Sequence, residues 1–258
     1  MLRLRVRAFS AVEAVGNCAR NAQAHAQVLR RYDIANITSA KDGWWKNEET
    51  FALLLEDSRT GDPLGAVRLQ RFGNRFPLPL ESALTNVERS VHDWVASFAE
   101  EGVGELCGLW CSPLLKGFGM GAVLTRMGLA LATVLRARTV LGLCDTRNVM
   151  QNLGYGFVRD ASLAGGTFEY PRPGLFAHVL RIADAERLED ATRSNRVAIE
   201  AYRRSPIGLE LIEAGERKLV LERDLSIGPV ALPAQRPARA SRPAAVHAPL
   251  FGFGAEPA

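Results

Sequence analysis

The stretch from Glu105 to Leu135 constrains this chain more than any other. It opens on the apolar run Leu106-Cys107-Gly108-Leu109-Trp110-Cys111, which is short and bulky enough for a buried strand. Ser112-Pro113 then ends the strand, because proline has no N–H to give to a ladder. Gly117, Gly119 and Gly121 follow, and Val123, Met127, Ala130, Leu131 and Val134 recur on one face of a predicted helix. A strand, a glycine loop and a helix in that order can bind an anion: the first helical N–H groups lack partners, the helix dipole is positive there, and glycine lets a bulky group approach. Lys116 adds a cation. The other reading of the same glycines is a tight turn needing unusual backbone angles.

The loop lacks the Gly-Lys-Ser/Thr close of a nucleotide-triphosphate loop. Gly117-Phe118-Gly119-Met120-Gly121-Ala122 satisfies GxGxxA, but five residues, Ser112 to Lys116, separate it from the strand, where a dinucleotide site runs almost directly into the first glycine. The run from Leu109 to Gly121 instead resembles the central motif of the GNAT N-acetyltransferase superfamily: an apolar strand, Pro, two residues, Arg or Gln, then a Gly-x-Gly-x-Gly loop opening a helix. Lys116 stands where that family usually has Arg or Gln, which keeps the charge and loses the planar fork. The resemblance extends more loosely over residues 51–182.

That resemblance implies an α/β fold with a mixed, partly splayed sheet flanked by helices, a helical C-terminal addition and a disordered tail. It implies acetyl-CoA or another acyl-CoA as co-substrate and an amine as acceptor. The expected cofactor contacts are Leu109, Trp110, Cys111, Lys116, Gly117, Phe118, Gly119, Met120, Gly121 and Asn148, the last by its place after the second strand. Asn148 can equally be a helix cap. Glu105 is the candidate general base; the alternative is a solvated strand end. Glu105-Leu-Cys-Gly-Leu lines up with Glu-x-Ser-Arg-Phe of autoinducer synthases, but the Ser and Arg are missing, which argues against a homoserine-lactone product. The segment Asn148 to Phe157 puts no tyrosine where the family keeps its acid, and Tyr155 reads as a packing aromatic.

Upstream, Phe51 to Glu56 and Leu64 to Leu69 read as two strands of a hairpin across a turn rich in Gly, Asp, Ser and Pro. Arg68, in a Gly-x-x-Arg-Leu ending that resembles autoinducer synthases, is a candidate for holding a carboxylate or phosphate, or else a solvated edge-strand residue. Trp44, beside Trp45, is a candidate for a ligand channel or a cap on the core. Residues 1–35 mix alanine with charges, and Val12 to Tyr32 suit one or two helices. Phe72 to Leu84 is an irregular connection like that of autoinducer and long-chain N-acyl amino acid synthases. Val87, Val91, Val95 and Phe98 predict a helix over 83–99 with His92 on its surface, a candidate acid or base that reads more simply as a surface histidine. Thr139 to Asp145 is a second buried strand, parallel to the first across the intervening helix. Thr167 to Tyr170 and Leu175 to Ile182 close the sheet, with His178 structural.

These elements divide the chain into an acyltransferase region over 1–183, an appended and mostly helical segment over 184–228, and a tail over 229–258. The tail holds six of the 13 prolines, and its three Arg and one Glu supply half of the net charge of +4. So mild a basic excess argues against nucleic acid as a partner. No apolar run is long enough to span a membrane. Cys18, Cys107, Cys111 and Cys144 show no metal-ligand spacing, so no metal is expected; free buried thiols suit a reducing cytoplasm. The enzyme expected is an N-acyltransferase. The alternatives are a longer-chain synthase fed by an acyl carrier protein and a non-catalytic CoA-binding module. A homodimer is a further arrangement considered.

Overall fold

A computed structural model describes residues 1–32, 34, 37, 38, 42–73 and 75–228; the tail expected over 229–258 lies outside them. Alternation of small repeats writes the first element. Leu2-Arg3-Leu4-Arg5-Val6-Arg7 puts leucine and valine on one face and arginine on the other, and forms strand β1 (Leu2–Ser10), with Leu4 and Val6 buried. The sequence reading missed this strand because the arginines mask its apolar half in a composition count. Helix α1 (Val15–Arg31) follows inside the expected span. The hairpin forms as expected from β2 (Thr50–Asp57) and β3 (Pro63–Arg71).

The helix predicted over 83–99 is two short ones, α2 (Pro79–Leu84) and α3 (Val91–Ala96). Pro79 at the first helical position sets the earlier start, and only Val91 and Val95 of the proposed stripe are buried, while Val87 is exposed. Strand β4 (Val103–Cys111), helix α4 (Met120–Val134) and strand β5 (Thr139–Asp145) follow the sequence reading closely. Then come α5 (Val149–Gly154), β6 (Val158–Arg159), β7 (Thr167–Glu169) and β8 (Phe176–Ile182).

The segment 184–228 is helical only at α6 (Arg193–Arg204); it continues as a hairpin of β9 (Ile207–Ala214) and β10 (Arg217–Asp224). Far from standing apart, β10 pairs parallel with β1 and extends the main sheet. Its period-2 pattern, with Leu219 and Leu221 buried, is the reason. The ten strands form one mixed sheet in the order β6-β8-β5-β4-β3-β2-β1-β10-β9, with β7 also on β8. The mixed, helix-flanked α/β sheet is therefore as expected, and the addition widens it.

Helices cover both faces. Helix α4 lies on one, with Leu124, Met127 and Leu131 in a core shared with Val67, Leu69, Leu4 and Leu221, and α6 packs outside it. On the other face α1 covers Leu54, Ala66 and Trp110, while α2 and α3 bury Leu80, Leu84 and Val95 against Val103, Leu141 and Val179. Where the α1 face runs over β1, Arg7, Arg20 and Arg5 converge on the buried Glu56 at 2.7, 3.1 and 3.7 Å. That carboxylate is compensated, as a charge so deeply buried must be.

Leu221 is fully buried in the core that α4 anchors. Leu221→Ala should therefore cost about 2–5 kcal/mol in a single cooperative urea transition. A separate early transition for the C-terminal segment would show that it folds as a unit of its own.

Candidate active site

Strands β4 and β5 pair for three residues only, Val103–Glu105 with Thr139–Leu141. Beyond that both continue, to Cys111 and Asp145, without facing each other in register. The parting coincides with a bulge. Opposite β3, Ala66 pairs with Trp110 and Arg68 with Cys107, so Gly108 and Leu109 together stand against Val67. Gly108 has φ +61, and a Cβ there would lie 3.0 Å from Arg68 Nε, which suits glycine on both counts.

The splay opens a cavity of about 810 Å³. Leu106 to Cys111 of β4 form one wall and Gly142 to Asp145 of β5 the other. Asn148, Gln151, Asn152 and Tyr155 close one side; His25, Val28 and Leu29 of α1 reach it from the opposite sheet face, beside Tyr170 to Arg172. Gly121 and Thr125 of α4 join the lining. The end of the cavity thus meets the glycine loop. Gly117 and Gly119 take left-handed angles (φ +91 and +67), and Gly119 precedes the first turn of α4. Nothing lies within 4 Å of where a Cβ would stand on Gly119 or Gly121, so the helix N-terminus is open to a ligand. The side chains of Phe118 and Met120 turn into the core, leaving the backbone of the loop outward. Lys116 is exposed beside it. Arg217 of β10 stacks over Phe118 at 4.5 Å and donates to the Lys116 carbonyl, a buttress that the sequence did not suggest.

Of the other expected contacts, Leu109, Trp110, Cys111 and Asn148 all line the cavity. Trp110 is held rigidly: its Nε1 donates to Asn21 Oδ1 at 2.7 Å and its ring stacks on His25. Asn148 is exposed and makes no side-chain cap bond, so its amide is not committed to the α5 terminus.

Arg68, Trp44 and Glu105 lie one layer behind the wall. Arg68 is buried, not solvated as the edge-strand alternative had it, since β3 is interior to the sheet. Its guanidinium stacks on Trp44 at 4.2 Å and donates toward Cys107 Sγ at 3.8 Å. Cys107 is on the cavity wall; Arg68 and Trp44 are not. Glu105 is 3% exposed, which removes the solvated-strand-end alternative. Its Oε2 accepts the Leu80 N–H at 2.7 Å, so a β4 carboxylate caps α2, whose own N-cap residue, Leu78, has no acceptor to offer. Burial pushes the Glu105 carboxyl up to about 8; the Leu80 N–H and the Arg68 guanidinium oppose this and the Glu81 carboxylate adds to it.

Glu81 itself is fully buried, accepts the Leu78 N–H at 2.7 Å and meets His92 Nδ1 at 2.6 Å. His92 is therefore no isolated surface histidine. The sequence missed His25 as well, although Cys18, Ala22 and His25 share one buried helical face. Burial and Arg68 bring its imidazole down to about 4, so it is neutral at pH 7. Tyr155 is buried on the cavity wall and its hydroxyl accepts from Gln151 Nε2 at 2.9 Å. His178 sits in the sheet between Thr146 and Thr167. Burial raises the thiols of Cys107 and Cys111 to about 12 and that of Cys144 to about 11, far from nucleophilic. Among the described residues no group of three or more His, Cys, Asp or Glu is placed to hold a metal, and no helix is long and apolar enough to cross a membrane.

No family model matches the sequence, and no curated protein matches it either. Solved structures do. FeeM, an N-acyl amino acid synthase from uncultured soil microbes, is 13% identical, covering 76% of this chain and 99% of its own, with a TM-score of 0.57. BjaI, a CoA-dependent acyl-homoserine lactone synthase solved with SAM and isopentyl-CoA, is 14% identical over 79% of this chain and 90% of its own, with a TM-score of 0.51. A weaker match is an acyl-CoA N-acyltransferase from Pseudomonas aeruginosa, 15% identical over 69% and 98%, with a TM-score of 0.48. By the first two of these, the chain shares its fold with acyl-transferring synthases.

Glu105 also makes stability depend on pH. Its folded carboxyl holds a proton up to about 8 and its ordinary value is 4.5, so between these the native state binds more protons than the unfolded one. Its contribution is complete below the lower value and is lost as pH rises through the upper one. Glu105→Gln keeps an acceptor for Leu80 and removes the titration. Urea melts of both proteins across this window should show the wild type losing stability relative to the variant; parallel curves would contradict the assignment.

Proposed function

We propose that this protein is an N-acyltransferase that moves an acyl group from acyl-CoA to an amine. The observation that carries this reading is the cleft itself: two parallel strands that part after three paired residues, with an open glycine-loop helix terminus at its mouth. Such a cleft suits a thioester on a long phosphorylated arm. The pyrophosphate would lie on the backbone of Gly117 to Gly121 with Lys116 beside it, since that terminus concentrates N–H donors and positive potential. Asn148 lines the cavity on the β5 side, where it would meet the arm.

In the reaction the amine nitrogen attacks the thioester carbon; a C–N bond forms, the C–S bond breaks, and one amine proton must leave while the thiolate gains one. On its β5 side the β4 segment from Leu109 to Cys111 has no paired strand, and backbone N–H groups turned that way would bind the oxyanion. Glu105, whose carboxyl holds its proton up to about 8, would act as the base in its ionised fraction, which grows as pH rises through that value. Tyr155, one of the tyrosines lining the cavity, would be the acid that protonates the thiolate. Trp44 and Arg68 sit behind the Cys107 wall, so the Arg68 cation would act on an anionic acceptor through that wall and not by contact.

A longer-chain synthase, with acyl-CoA or an acyl carrier protein as donor, is the second reading. It is favoured by one feature: the cavity continues past the strands to Val28, Leu29, Ile34 and Ile37, an apolar extension that an acetyl group would leave empty. BjaI was solved with isopentyl-CoA, whose acyl group is larger than acetyl. A non-catalytic CoA-binding module and a protein that binds NAD are the competing outcomes.

Thermal melting with CoA, acetyl-CoA, a series of longer acyl-CoAs and NAD tests the reading. A ligand at a hundredfold excess over its Kd adds about 2.7 kcal/mol. Stabilisation by CoA species is expected, increasing with chain length if the apolar extension is used; stabilisation by NAD alone would overturn the assignment. Gly121→Glu is the matched control, because a side chain there meets nothing within 4 Å. It should leave the melting temperature of the free protein unchanged and abolish the shift with CoA. In a thiol-release assay, Glu105→Gln should lower turnover by about 10²–10⁴ while the CoA shift persists; full activity in that variant would remove Glu105 from the chemistry.

A further inference from the structure

The three glycines of the loop have different surroundings. A Cβ on Gly119 or Gly121 would meet nothing within 4 Å, whereas one on Gly117 would stand 2.8 Å from Arg217 Nη2. The Gly117 face is therefore already covered, by a side chain a hundred or so positions further along the chain. Arg217 is exposed, but its backbone is fixed: it pairs with Ala214 across the β9–β10 hairpin, two residues before Leu219, which is buried in the core beneath α4. From there the guanidinium lies over the Phe118 ring at 4.5 Å and donates through Nη2 to the Lys116 carbonyl. Phe118 is itself anchored, its ring in the core and its N–H on the Leu115 carbonyl at 3.1 Å. A flat cation on an aromatic face and a charge-assisted bond thus hold the residues on either side of Gly117.

We propose that Arg217 is a positioning residue of the donor site: it holds Lys116 to Phe118 so that the open backbone of Gly119 to Gly121 is already in place for the phosphates of the donor. The proposal rests on the acyl-CoA reading and assigns the glycines separate tasks. Gly117, at φ +91, leaves room for the arginine, while Gly119 and Gly121 leave room for the ligand. Arg217 acts through the loop and not by contact with the reacting atoms. Ordering a glycine loop costs backbone entropy. A loop held from a sheet strand meets that cost on folding, so less of it falls on binding. The segment after residue 183 is in this respect part of the binding machinery.

Hydrogen exchange on the full-length protein without ligand reads the restraint directly. In Arg217→Ala the Phe118 N–H should lose protection while the amides of β4 and α4 keep theirs. Calorimetric titration with CoA reads its use. Arg217→Ala should weaken binding about tenfold, and Arg217→Lys, which keeps a donor for the carbonyl but not the flat stack, should fall between. Lys218→Gln removes the adjacent cation, which pairs with Glu213, and should leave the affinity within about twofold of wild type. In the thiol-release assay Arg217→Ala should raise KM for acyl-CoA by the same factor as Kd and leave kcat unchanged. An arginine that only ties the hairpin down would lower the melting temperature and leave CoA affinity alone. That outcome, or unchanged exchange at Phe118, overturns the proposal and leaves the acyl-transfer reading standing; a wild type that does not bind CoA overturns both.

Discussion

The parting of β4 from β5 is the constraint on which the rest depends. Parallel strands joined by a crossover helix ordinarily stay paired along their length, because each lost rung leaves an N–H and a C=O to be satisfied otherwise. Here pairing stops after Glu105 and Leu141. The bulge at Gly108 and Leu109 gives β4 a bend that β5 does not share. Everything else in the site is arranged about the gap: α4 starts at its mouth, α5 follows β5 on one side, and α1 comes over from the far sheet face to line it. A residue larger than glycine at position 108 would meet the Arg68 guanidinium, so the bend and the buried cation are fitted to one another.

Two buried glutamates show how differently the fold treats similar charges. Glu56 is met by three arginines. Glu105 has the Leu80 N–H close by, and its strongest influence is desolvation. The first arrangement pairs a buried carboxylate with cations and is structural. The second leaves the proton loosely poised near neutral pH, the property a general base or acid needs. Glu105 also caps α2, and the same helix carries the buried Glu81, which meets His92 of α3.

Much of this was legible in the residues. The strand, proline, glycine loop and helix over 105–135 lie where the pattern put them, because apolar period and turn chemistry are local and the local signals agree. The hairpin of β2 and β3 was legible for the same reason. What could not be read is what depends on partners distant in sequence. Arg68 reads as solvated until β4 is placed beside β3, and His92 as a surface residue until α2 and α3 fold against each other. The strands β1 and β10 are a different case: their alternation is plain, but arginine and glutamate between the leucines look like a charged helix unless the period is counted.

The hairpin of β9 and β10 is where the missed signal has most consequence. It supplies Leu219 and Leu221 to the core beneath α4, and from its tip Arg217 covers Phe118 and holds the Lys116 carbonyl. A glycine loop has little side-chain packing of its own, and its left-handed residues lose more backbone entropy on ordering than others do. An arginine fixed on a sheet strand can restrain such a loop before any ligand arrives, and a restrained loop binds with less ordering cost. The same hairpin therefore connects two parts of the molecule: one strand buttresses the backbone of the glycine loop, and the other ends the sheet among the described residues.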